Sequence, residues 1–179
     1  ITSDLTAAGN GDTFTLGTLS IGSQTLTVAG GSNVTGGTAG LTFGATTLTG
    51  NSTFNVTNPS AGGATTLILG AVTDGAVGRN ITKTGNGVLA LNTAPTSLVS
   101  GTTFNVNAGT LTLGITGAGG NASFNLGDTG GASANATLNL FGTGNSVVVR
   151  SGNSGTATLG SINAASNVQV TIPQLPVDK

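Results

Sequence analysis

The chain has 179 residues, a net charge of −1, 32 Gly, only 5% charged and 3% aromatic residues, and no Cys, Met, Trp, Tyr or His. Five Asp (4, 12, 74, 128 and 178) and four basic residues (Arg79, Lys83, Arg150, Lys179) are scattered singly, and Glu is absent. This excludes nucleic-acid binding, which needs clustered Lys and Arg to displace counterions, and it excludes a disulfide framework and amphipathic helices with charged outer faces.

The 36% of hydrophobic residues recur as single, paired and tripled positions. Disorder combines low hydrophobicity with high charge, and this chain has neither. The class is all-β, and 179 residues suit a single domain.

From Thr13 the apolar alternations are Phe14-Thr15-Leu16, Leu19-Ser20-Ile21 and Leu26-Thr27-Val28, separated by Gly17-Thr18 and Gly22-Ser23-Gln24. Period-2 alternation bounded by Gly, Asn and Ser marks half-buried strands. The corners are too short for the crossover helices of α/β proteins. A coil that turns every few residues fits: a parallel β-helix, whose successive turns stack ~4.8 Å apart. Leu41-Thr42-Phe43, Leu48, Phe54-Asn55-Val56 and Leu67-Ile68-Leu69 follow. Pro59 between them cannot donate to a ladder and marks a loop.

The tetrapeptide Thr53-Phe54-Asn55-Val56 returns as Thr103-Phe104-Asn105-Val106, Ser123-Phe124-Asn125-Leu126 and Thr137-Leu138-Asn139-Leu140. Such imperfect repetition is compatible with coils of ~20 to 25 residues carrying insertions. The expectation is a right-handed parallel β-helix of about seven or eight coils over residues 1–172. Residues 173–179, with Pro173 and Pro176, form an extended tail or linker.

The clearest stretch runs from Arg79 to Gly114. It carries Lys83, Gly85 and Gly87, alternating Leu89 and Leu91, a Thr-rich connection Gly101-Thr102-Thr103, and Ala108-Gly109-Thr110-Leu111-Thr112-Leu113-Gly114. In order and spacing this fifth of the chain resembles the autotransporter-associated beta strand repeat of bacterial surface proteins. The resemblance implies a passenger-type β-helix, exported unfolded, for which absence of Cys is expected. Alternation in this stretch puts Leu89, Leu91, Phe104, Val106, Leu111 and Leu113 inside, with Asn105 and Thr112 outside or at corners.

No apolar run approaches the ~18 residues of a membrane helix. Six Phe without Tyr or Trp lack the aromatic girdles of an outer-membrane barrel. The chain begins at Ile1 without a signal peptide, which reads as a processed chain or a fragment. A neutral Thr, Ser, Asn and Gly exterior suits an extracellular or bacterial cell-surface setting.

For catalysis, isolated Asp residues give no carboxylate pair, and general bases of the His or Glu type are lacking. Asp74 and Arg79 read as a solvated surface pair. The segment Gly9-Asn10-Gly11-Asp12-Thr13-Phe14 has the flavour of one calcium-binding coil, but no second copy follows, and Asn-Gly reads as a plain turn. Gly117-Ala118-Gly119-Gly120 lacks the Lys of a phosphate loop. Asn-x-Ser/Thr triplets at Asn33, Asn51, Asn55, Asn80, Asn121 and Asn135 follow from composition.

The expectation is therefore a non-catalytic structural protein without metal or cofactor. It is a building block of a stalk or fibre that associates end to end with copies of itself or with flanking β-helix segments. Self-association falls on Val168, Val170, Ile172, Leu175 and Val177, because no polar cap covers the apolar last strand and tail. The alternative is an ice-binding or polysaccharide-binding β-helix adhesin segment. Thr13/Thr15, Thr25/Thr27 and Thr110/Thr112 form outward pairs, whereas glycan binding lacks its usual aromatic platforms.

Overall fold

The computed structural model describes residues 1–91, 98–99, 102–113, 123–126, 136–140 and 169–171, with side chains described through residue 112 of these. Among these residues every element is a β-strand, and all their strand pairs are parallel. The first turn lays down β1 (Thr2–Ser3), β2 (Gly9–Thr15) and β3 (Leu19–Ile21). The second holds β4 (Thr25–Gly30) and β5 (Val34–Leu48). The third holds β6 (Thr53–Thr57) and β7 (Ala64–Thr73), and the fourth β8 (Asn80–Thr84) and β9 (Val88–Leu91). Further on, β10 (Thr103–Val106), β11 (Gly109–Leu113), β12 (Ser123–Leu126), β13 (Ala136–Leu140) and β14 (Gln169–Thr171) prolong the same ladders.

One sheet orders its strands β1-β4-β6-β8-β10-β12, and the other β2-β5-β7-β9-β11-β13-β14, with β3 also on β5. These are stacked coils of a β-solenoid, about four turns of it by residue 91.

The alternation read from the sequence sets the register. In the second sheet Phe14, Leu41, Leu67, Leu89 and Leu111 lie in one interior column. In the first sheet Leu26, Phe54, Lys83 and Val106 form another. Leu89, Leu91, Phe104, Val106 and Leu111 are buried as expected, and Asn105 and Thr112 are half-buried. The Leu113 side chain lies outside the described residues.

Two segments differ from the sequence reading. Leu41-Thr42-Phe43 and Leu48 belong to one strand, β5, which bends where its register slips between Phe43 and Ala45. The bend sits at Gly44, whose N–H donates to Gly17 O at 2.9 Å. A Cβ on Gly70, one turn on, would lie 2.8 Å from Gly44 O. Close approach of the stacked backbones thus requires glycine at Gly70, and β5 continues through Gly44 rather than ending there. Asn10-Gly11, expected as a turn, lies inside β2, where register shifts flank Gly9/Asn10 and Gly11/Thr13. Gly85 (φ 73°) and Gly109 (φ 70°) do make the expected corners.

Candidate functional site

Three places in the described structure depart from a plain solenoid: its first rim, one outer face, and a pair of buried charges.

At the rim, among the described residues, β2 has a ladder partner, β5, on one side only. Phe14 therefore heads its interior column uncovered, 50% exposed, whereas the in-register Leu41, Leu67, Leu89 and Leu111 are at most 3% exposed. Leu16, 42% exposed, follows on the same rim, its N–H donating to Thr42 O at 2.7 Å. Ile1 is also exposed. Covering the open half of Phe14, roughly 100 Å² of its ring, would contribute about 2–3 kcal/mol. The end-to-end association expected from the sequence needs such an uncapped end, but the pattern did not single out Phe14, which carries the same local alternation as Phe104.

At the other limit of the second sheet lies β14, with Val170 paired to Leu138 of β13. Of the expected self-association residues the structure places only Val170, by its backbone register. Val168, Ile172, Leu175 and Val177 lie outside the described residues.

The outer face of the first sheet is uniform. Every outward position of β6, β8 and β10 is Thr or Asn, and Thr25 and Thr27 of β4 extend the pattern. Thr25, Thr53, Thr82 and Asn105 form one outward column across four strands. At the corners Asn side chains tie one turn to the next. Asn86 Oδ1 accepts from Asn58 N (2.8 Å), Asn51 Oδ1 accepts from Asn80 N (2.9 Å), and Asn33 Nδ2 donates to Leu5 O (2.6 Å). The Asn33 and Asn51 amides of the Asn-x-Ser/Thr triplets are thus structural.

Lys83 occupies an interior position of β8 and is fully buried. Its Nζ donates to the carbonyls of Thr84 (2.6 Å), Gly85 (2.7 Å) and Ala108 (3.1 Å), so the ammonium joins the fourth turn to the strand corner beyond it. Burial lowers its pKa from 10.5 to about 8. The carbonyls compensate part of that desolvation by accepting hydrogen bonds from the ammonium.

The expected Asp74–Arg79 surface pair is replaced by something else. Asp74 is fully buried and accepts from Ala76 N (3.1 Å), Val99 N (2.8 Å) and Thr102 Oγ1 (2.6 Å). Thr102 Oγ1 in turn accepts from Arg79 N at 3.1 Å. Arg79 Nε is buried without a hydrogen-bond partner. The carboxylate organises a corner in which Ala76 adopts φ 61° and Val77 is exposed. Among the described residues no three His, Cys, Asp or Glu side chains gather to hold a metal, and no helix is long and apolar enough to cross a membrane.

No family model, curated protein or solved structure matches the chain.

Proposed function

We propose that this chain is a non-catalytic structural protein of the bacterial cell exterior. In this reading it is a right-handed parallel β-helix of seven or eight coils that serves as a building block of a stalk or fibre and associates end to end. The observation that carries it is the open rim: an interior column continuous from Leu41 to Leu111 ends at a half-exposed Phe14 on a parallel strand that, among the described residues, is paired on one side only. A free strand edge over an uncovered core is a template for adding strands.

The seven successive rungs from β2 to β14 support the coil number, and the strong right-handed preference of parallel crossovers supports the hand. The Lys83-to-Gly114 stretch supports a relation to the autotransporter-type repeat, and with it the surface address. Both charges buried in the described corners are tied into backbone hydrogen bonds, which favours a load-bearing over a chemical role.

Light scattering and negative-stain imaging of the purified chain, with and without residues 173–179, test this reading. Concentration-dependent elongated assemblies, weakened by the truncation, are expected. A strictly monomeric protein at high concentration would contradict it.

The neutral Thr and Asn face of the first sheet favours one second reading, ice binding. A thermal hysteresis that falls on Thr53→Lys and Thr82→Lys would support that reading, and its absence would remove it.

A further inference from the structure

We propose that the open rim of the first turn is the acceptor for a second copy of this chain, and that β14 of that copy docks on β2 as the next rung of the second sheet. This rests on the end-to-end reading above and specifies its joint.

Among the described residues the limits of the second sheet are β2 and β14, and every described strand between them runs parallel. The two edges are therefore complementary to one another rather than to themselves, so the contact is head to tail and repeats indefinitely. Register follows from the columns. Phe14, Leu41, Leu67, Leu89, Leu111, Leu138 and Val170 occupy one column, so position 170 of the incoming copy falls on Phe14. The neighbouring column runs from Thr13 through Gly40, Thr66, Val88, Thr110 and Thr137 to Gln169. A second copy would pair both of these described edges at once, and Phe14, half-exposed on the free chain, becomes interior. A preceding coil of a longer chain would cover the rim alone.

The chain has no Cys, so introduced thiols report this joint without background. Rungs of a parallel sheet lie ~4.8 Å apart, inside the Cα–Cα range of a disulfide. Thr13→Cys and Gln169→Cys are made singly, with tags of different mass, mixed, and oxidised under mild conditions. The expected product is a heterodimer of one chain of each kind. The double variant should give a ladder of multiples that collapses on reduction. Phe14→Asp added to Thr13→Cys should cut the heterodimer at least tenfold, while circular dichroism reports an unchanged fold.

Assembly by light scattering without heterodimer, or with homodimers of either single variant, would overturn the joint and leave the end-to-end reading standing. A chain that remains monomeric throughout would overturn both, and would assign the rim to a preceding coil.

Discussion

Lys83 is a buried cation whose partners are three main-chain carbonyls. Its protonation therefore reports on the joint between turns. With the folded pKa lowered by burial to about 8 and the unfolded value near 10.5, the unfolded chain binds more protons between those limits. Stability contributed by this group is accordingly lowest below pH 8, rises from 8 to 10.5, and is level beyond. At about 1.4 kcal/mol per unit, the rise is of the order of 3 kcal/mol, seen as a higher urea midpoint. Lys83→Met should flatten that slope, and an unchanged slope in the variant would assign the titration elsewhere. Asp74 is the opposite case, an acceptor for three donors in a dry corner. Asp74→Ala should cost about 3 kcal/mol, since Val99 N and Thr102 Oγ1 lose their acceptor. Denaturant unfolding measures this directly, and a loss below about 0.5 kcal/mol would mean the corner is not held this way. Neither residue was legible in the sequence as buried. A lone charge among Thr and Gly reads as a surface group, and only the coil register brings Ala108 to Lys83 or Val99 to Asp74.

At the scale of elements, the alternation in the sequence was sufficient wherever a strand is flanked on both sides. Phe54, Val56, Leu89, Leu91, Phe104 and Val106 are buried because period 2 places them on the inner face, and slipping by one would invert them all. Leu111→Asp should therefore abolish folding, whereas Thr112→Asp should shift the melting temperature by only a few degrees. Comparable losses in the two variants would mean that the alternation has been misassigned. Corners were less legible. Glycine reads as a strand terminator, yet β5 continues through Gly44. Asparagine reads as a turn residue, yet Asn51 and Asn86 bond across turns, 29 and 28 residues away in sequence. Those roles depend on which residue lies on the next rung, and a local pattern contains no such information.

For the whole molecule, the decisive asymmetry is between a covered and an uncovered position of the same column. Leu41→Asp would place a charge in the core and unfold the chain, whereas Phe14→Asp should lower the melting temperature by only a few degrees and abolish assembly. An uncapped end was legible as an expectation, but Phe14 was not, because exposure at a solenoid's end is a property of the stack and Phe14-Thr15-Leu16 has the same pattern as any interior strand. In the proposed fibre, coils stack along one axis and continue from copy to copy. X-ray diffraction from aligned, concentrated protein tests it most directly. A sharp meridional reflection near 4.8 Å, parallel to the long axis of filaments, is the predicted result, because rungs then repeat along the fibre. Isotropic scattering from single particles, or a 4.8 Å reflection across the fibre axis, would contradict it.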